Sequence, residues 1–298
     1  MQALYIGVEG VFLSKKKAMG TILIATDFSE ASGNATQYGV QLANALNAKV
    51  NLVSAYKQVP IPISDSVVID TPESMRVLVQ HQLESVAAFL SGEAKVPIGT
   101  ICEEGLASSA ILAAAKKTNA DYILIGMKTA GKGIRKVFGN TITKLIRKTA
   151  IPLIVVPEEA KYTMPQAIAL ACDIMPDANI HLLDTFRILV ERFHAKLHIV
   201  RVIKDDNRES SQVRVLPINL EKSMKGLDTL YEYPADKNVS HALAEFTSIH
   251  RIDMLAMMPH KHMLLERLLL KSNTQSMIFE THIPLLILPD LRNRLFHI

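Results

Sequence analysis

Apolar residues in this chain form short continuous runs that alternate with longer, helically spaced stretches. The runs at residues 21–26 and 153–156 are rich in β-branched residues. Such runs are typical of strands buried on both faces of a parallel sheet. After the run at residues 21–26, residues 31–46 carry their apolar side chains at the spacing of one helix face. The pattern therefore predicts strands and helices in alternation.

The first half of the chain predicts five strands connected by four helices. The predicted strands are residues 21–26, 49–56, 97–102, 121–125 and 153–156. The predicted helices are residues 31–46, 72–94, 108–117 and 141–148. This alternation predicts an α/β fold with a parallel sheet covered by helices on both faces. Ligands of such sheets bind beyond the carboxyl ends of the strands, and Asp27 and Gly126 both follow predicted strands.

The second half repeats this order. Its predicted strands are residues 166–172, 196–203, 227–233 and 253–257, and its helices are 182–193, 239–250 and a short one within 213–225. Residues 121–157 align with residues 253–289 without a gap, and six of the twelve positions in 146–157 are identical to their counterparts. We therefore predict two tandem copies of a five-stranded parallel sheet. The first domain is placed at residues 19–158 and the second at residues 164–290.

Composition narrows the function classes. The chain has 298 residues, of which 49% are hydrophobic and 21% charged, so each half is long enough to bury a core. A net charge of +4 gives no case for nucleic-acid binding. No apolar run approaches the ~20 residues of a membrane span, and two cysteines fit a reducing cytoplasm. Residues 1–18 are unlike the rest and are interpreted as a disordered extension or a wrongly assigned start.

The segment most informative about function follows the fourth predicted strand. Gly126 is predicted to end that strand, a glycine-rich loop follows, and a helix begins at Asn140 and Thr141. Seven basic residues and no acidic residue occur in 126–157. Glycines allow a backbone to approach a ligand, and a helix N-terminus presents free N–H groups to an anion. The segment therefore predicts a phosphate site.

The spacing of this segment resembles the motif Gly-x2-Gly-x9-Gly-[Ser/Thr] of the universal stress protein family, in which a strand ending in Val-Val-Pro follows. Gly126 and Gly139 stand at the first and third glycines. Thr129 replaces the second glycine and Asn140 the hydroxyl residue, with Thr141 one position later. The resemblance extends over nearly the whole chain. It implies a Rossmann-like fold of the adenine nucleotide alpha hydrolase type, a role in stress endurance, and ATP binding in some members.

The resemblance also implies a cofactor-binding set in the first domain. Asp27 matches a residue that receives a hydrogen bond from the adenine side of ATP, and Ala55 matches a wall of the adenine pocket. Beside Asp27 and Ala55, the set contains Ile125, Gly126, Thr129, Gly139, Asn140 and Thr141. Other interpretations remain open: Asp27 fits an Asx-type turn or a helix N-cap, the glycines fit tight turns, and the β-branched Thr129 disfavours a positive φ.

The second copy lacks the glycines of the motif. Met258, Lys261 and Lys271 stand at the three glycine positions, although Asp173 matches Asp27. We therefore expect no ATP site of the family's type in the second domain. A His-x-His pair at 260 and 262 is interpreted as part of a solvated loop rather than a metal site, because no further ligand lies at a suitable spacing.

These observations lead to a tandem universal stress protein whose first domain binds ATP. The alternative is a protein-interaction or scaffold module without a nucleotide. A hydrolase is least favoured, because no catalytic constellation is visible in the sequence, and we expect a protein that is not an enzyme. The apolar closing strands at residues 153–156 and 285–288 need cover. We expect them to pair as an intramolecular pseudo-dimer, with a homo-oligomer as a further level of assembly.

Overall fold

A computed structural model of the chain describes residues 20–57, 72–128, 139–172, 180–203, 218–258 and 282–289. Within them, the strands are β1 (Thr21–Ala25), β2 (Lys49–Tyr56), β3 (Ile98–Glu104), β4 (Tyr122–Met127), β5 (Leu153–Pro157), β6 (Ala167–Ala171), β7 (Lys196–Val200), β8 (Thr229–Glu232), β9 (Met254–Met257) and β10 (Leu285–Ile287). The helices are α1 (Glu30–Leu46), α2 (Pro72–Leu90), α3 (Ala107–Lys117), α4 (Asn140–Lys148), α5 (Ile180–Phe193), α6 (Ile218–Ser223) and α7 (Val239–Ile249).

The ten strands form one sheet in the order β3-β2-β1-β4-β5-β10-β9-β6-β7-β8. Every pair is parallel except β5 and β10, which pair antiparallel. Read outward from that junction, both halves have the same strand order. The predicted α/β fold with five-stranded parallel sheets is confirmed, and the two sheets are continuous with each other.

The continuous apolar runs are explained by burial on both faces of the sheet. In β1, Ile22 and Ile24 pack into the core layer that contains α1, whereas Leu23 and Ala25 pack into the layer that contains α3 and α4. Full burial of one such aliphatic side chain contributes ~1.5–3 kcal/mol. A polar side chain pointing to either face of the sheet would therefore be costly. For this reason the strands lack the alternation of apolar and polar residues that is typical of a half-exposed sheet.

An equivalent carboxylate ties the central strands together in each half. Asp121, just before β4, accepts a hydrogen bond from the backbone N–H of Thr21 at 2.9 Å. Asp253, just before β9, accepts from the backbone N–H groups of Gln166 at 2.7 Å and Ala167 at 2.9 Å. The repeated contact matches the alignment of the two segments in the sequence.

The junction between the halves is apolar and nearly symmetric. Leu286 pairs with Ile154, Leu285 with Val155, and Ile287 with Leu153. Since residue 286 aligns with residue 154, each closing strand pairs with its own counterpart about a local two-fold axis. The pairing covers two apolar edges that would otherwise be open to aggregation. Behind it, the hydroxyl of Tyr122 donates to the backbone carbonyl of Thr185 on α5 at 3.1 Å.

Some predicted boundaries are wrong. Gly126 does not end its strand, because β5 continues as a partner and pairs Val156 with Gly126 and Pro157 with Met127. Helix α2 ends at Leu90, before a Ser91–Gly92 turn, and β3 continues to Glu104 alongside β2. The proposed extension at residues 1–18 lies outside the described residues. Among the helices described, none combines the length and apolar character needed to cross a membrane.

Candidate functional site

A cavity of about 300 Å³ opens at the carboxyl ends of β1, β2 and β4. It lies where the strand order switches between β1 and β4, the usual ligand position in open α/β sheets. The N-terminal ends of α1, α3 and α4 border it. The cavity is lined by all the predicted site residues that the structure describes: Asp27, Ala55, Ile125, Gly126, Gly139, Asn140 and Thr141. Thr129 lies outside the described residues.

Asp27 holds the turn between β1 and α1. Its Oδ1 accepts hydrogen bonds from the backbone N–H of Ser29 at 3.1 Å and from the Ser29 hydroxyl at 2.5 Å. Ser29, rather than Asp27, is the N-cap residue of α1, since its side chain accepts from the N–H of Ser32. Desolvation acts to raise the pKa of Asp27, but the hydrogen bonds from Ser29 and Ser32 outweigh it and keep the pKa below its usual value. The cavity therefore contains a carboxylate that is ionised at neutral pH.

The wall beside Asp27 is apolar and built from small or branched side chains. Val53 and Ala55 come from the end of β2, and Ile125 comes from β4. Ala55 is only partly buried, so its methyl group forms part of the cavity surface. A flat apolar ligand group fits such a surface, with polar recognition left to the carboxylate at its edge.

Gly126 is required by packing. A Cβ atom at this position would lie 2.4 Å from the carbonyl oxygen of Ala31 and 3.1 Å from the Cα of Ser32. These are backbone atoms of the first turn of α1, which cannot move aside as a flexible side chain can. The glycine is thus explained by the close approach of α1 to β4, and the interpretation of a tight turn at this position is wrong.

Gly139 differs, because the fold itself does not require a glycine there. It is the N-cap residue of α4 with φ −58° and ψ 158°, a conformation open to any residue, and no atom of the described residues lies within 4 Å of an added Cβ. No side chain caps α4, and its first turn has no acidic residue. The first N–H groups of a helix have no intrahelical partner. At Asn140 and Thr141 these groups lie beside the cavity and make a site for an anion.

Two groups at the cavity were not singled out from the sequence. Lys128 directly follows β4, lines the cavity and is exposed, but in the sequence it was one of seven similar basic residues. Ala107, the first residue of α3, lines the cavity after Gly105, which has φ +121°. A helix that begins without a side-chain cap gives no local signal, so only the fold places it here.

The universal stress protein family model matches residues 19–157, which contain β1 to β5 and the cavity. A universal stress protein of Synechocystis sp. is 30% identical over 139 residues, covering 46% of this chain and 85% of that protein. The chain belongs to the universal stress protein family. The match to the family ends with β5, so the membership is established by the first half of the chain.

Solved structures resemble this chain over both of its halves. A universal stress protein from Archaeoglobus fulgidus has a TM-score of 0.69 at 15% identity, covering 90% of this chain and 98% of that one. A protein of unknown function from Pseudomonas aeruginosa has a TM-score of 0.58 at 13% identity, covering 91% of this chain and 93% of that one. At these identities the likeness shows the fold alone, and the ligand is argued from the site.

Proposed function

We propose that this universal stress protein binds an adenine nucleotide in the cavity of its first half. The observation that carries the proposal is a single cavity that joins an ionised carboxylate, an apolar wall and an uncapped helix N-terminus. Each matches one part of a nucleotide: the exocyclic amine, the base and the phosphates. The volume of about 300 Å³ is at the lower end of the range for small-molecule sites, which suits a nucleoside with its phosphates toward the cavity mouth.

The base is proposed to lie against Ala55 and Ile125, with its amino group toward Asp27. Adenine carries an amine donor at the position where guanine carries a carbonyl acceptor. An ionised carboxylate accepts from the first and repels the second. Asp27 would therefore select adenine over guanine. Because Ser29 already orients its carboxylate, little ordering is needed on binding.

The phosphates are proposed to lie at the start of α4. Open space at Gly139 allows them to reach the N–H groups of Asn140 and Thr141, and Lys128 supplies a cation at the same rim. A helix N-terminus and a nearby cation both favour negative charge. The predicted contribution of Thr129 remains part of this proposal.

We propose binding without rapid hydrolysis. Among the cavity-lining residues that the structure describes, the only acidic side chain is Asp27, which belongs to the base end in this arrangement. A general base must lie within hydrogen-bond reach of the attacking water, beside the terminal phosphate.

The second half is proposed to be a degenerate copy that packs against the first as a pseudo-dimer. The shared strand order and the symmetric pairing of β5 with β10 support this. Met258, at the position of Gly126, is 2% exposed and part of the core. The counterparts Asp173, Lys261 and Lys271 lie outside the described residues. Cys102 and Cys172 are not joined in a disulfide, which supports a cytoplasmic location.

The test is equilibrium binding of ATP and GTP to the full chain. A charged hydrogen bond contributes ~1.5–3 kcal/mol, so ATP should bind roughly 10- to 100-fold more tightly than GTP. Asp27→Asn should reduce this ratio toward one, because an amide can both donate and accept. Failure of the folded protein to bind either nucleotide would reject the proposal and favour the scaffold function.

A further inference from the structure

The second half contains a cluster of three metal-ligating side chains that is unrelated to the nucleotide cavity. His198 lies in the middle of β7, Glu232 ends the neighbouring edge strand β8, and His250 follows α7 as its C-cap residue. Each offers one ligand atom, and these atoms lie within 4.8 Å of one another. The cluster therefore joins two strands and the helix that covers them.

His198 shows that the cluster is more than a group of surface charges. It is 5% exposed, and its Nδ1 is buried without a hydrogen-bond partner among the described residues. Leaving a buried polar nitrogen unpaired destabilises a fold, so such an atom in a native structure requires an explanation. This nitrogen lies 3.6 Å from Oε1 of Glu232, which is too long for a hydrogen bond.

The separation suits a shared ion better than a direct contact. Zinc binds histidine nitrogen at ~2.0–2.1 Å and carboxylate oxygen at similar lengths, so two ligands of a tetrahedral ion lie about 3.4 Å apart. The His198–Glu232 separation is close to that value.

Aromatic packing keeps the two imidazoles near each other. Phe246 stacks on the ring of His250 at a centroid distance of 4.1 Å and meets the ring of His198 edge-on at 5.8 Å. The His198 and His250 rings are 5.4 Å apart. Phe246 is 5% exposed and thus fixed in the core beneath both histidines. Ligands held by packing need little reorganisation to bind an ion.

We propose that His198, Glu232 and His250 bind a divalent transition-metal ion, with zinc the best fit. Two imidazoles and one carboxylate match zinc, and a site with three protein ligands leaves a fourth position for water. His250 is exposed, which gives the ion a route from solvent. The bound ion would join the edge strand β8 to α7 and stabilise the outer end of the second half.

The experiment is calorimetric titration of the metal-free full-length protein with zinc chloride. One zinc per chain should bind, and His250→Ala and Glu232→Gln should each weaken it by ~100-fold or more, since even indirect partners of a metal ligand matter 10- to 100-fold. These variants are preferred because His198 is buried and its removal endangers the fold. Zinc should raise the Tm of the parent protein and not that of His250→Ala.

Two controls separate this cluster from other histidines. His241→Ala changes an exposed histidine on α7 that pairs with Asp236, and it should leave zinc affinity unchanged. A double change of His260 and His262 to alanine should also leave it unchanged. The proposal is overturned if no zinc binds, if His250→Ala binds zinc as the parent does, or if the double variant loses the site.

Discussion

Replacing Gly139 with valine tests the phosphate end of the proposed site. The position accepts a side chain without backbone strain, because φ is −58°, and within the part of the chain that the structure describes no atom lies within 4 Å of an added Cβ. The same open space is where a phosphate must approach the N–H groups of Asn140 and Thr141. A branched side chain should therefore remove binding while the fold remains intact.

The size of the loss follows from the contacts at this helix end. A hydrogen bond to a charged group contributes ~1.5–3 kcal/mol, and the helix terminus adds ~0.3–1 kcal/mol. Displacing the phosphate from one such N–H group and from the helix axis thus costs ~2–4 kcal/mol, or roughly 30- to 1,000-fold in Kd. The free energy of unfolding should change little, because two effects of the substitution oppose each other. Valine is a weaker N-cap than glycine, which lowers the free energy of unfolding by up to ~1 kcal/mol. Valine also restricts the unfolded chain more than glycine does, which raises it by ~0.4–1 kcal/mol.

The assay is calorimetric titration with ATP, together with thermal unfolding followed by circular dichroism. Gly92→Val is the matched control, since Gly92 also has open space around it and does not line the cavity. The control should bind ATP as the parent does. Unchanged ATP affinity in Gly139→Val, with a normal unfolding curve, would refute the placement of the phosphates.

Two further predictions concern the fold. Gly126→Ala should lower the free energy of unfolding in urea by at least ~1–3 kcal/mol, because its Cβ would lie 2.4 Å from the carbonyl oxygen of Ala31. Gly33→Ala on the exposed side of α1 should instead raise stability by up to ~1 kcal/mol, and equal effects of the two changes would contradict the packing argument. The hydrogen bond to Asp236 raises the pKa of His241 in the folded protein above the usual value of 6.5. The stabilisation of the folded state by this pair is therefore fully present below pH 6.5, and it is lost as the pH rises through the pKa of His241 in the folded protein. An NMR titration should show that higher pKa, and Asp236→Asn should abolish the increase.

The sequence was sufficient for the strands and for the general position of the site. Continuous apolar runs occur only where both faces of a strand are covered, so β1, β4 and β5 were readily recognised. The topology of such a sheet then places residues that follow strands, such as Asp27, at one edge. This is why all described members of the predicted set line one cavity.

What the sequence did not reveal depends on contacts between distant segments. The role of Gly126 follows from how closely α1 crosses β4, and the continuation of β4 follows from its pairing with β5. Neither leaves a local signal, and a glycine after an apolar run has the same pattern as a turn. His198, Glu232 and His250 come from three different elements, so no sequence motif marks the cluster. The His-x-His pair, by contrast, is visible in the sequence because its two histidines are separated by a single residue.

The chain is proposed to have a single adenine nucleotide site, in its first half. Calorimetric titration of the full-length protein with ATP tests it most directly, because it gives affinity and stoichiometry together. We expect one ATP per chain, with binding lost in Gly139→Val and retained when Met258 in the second half is changed to leucine. Two equivalent ATP sites per chain, or one site that survives Gly139→Val, would contradict it.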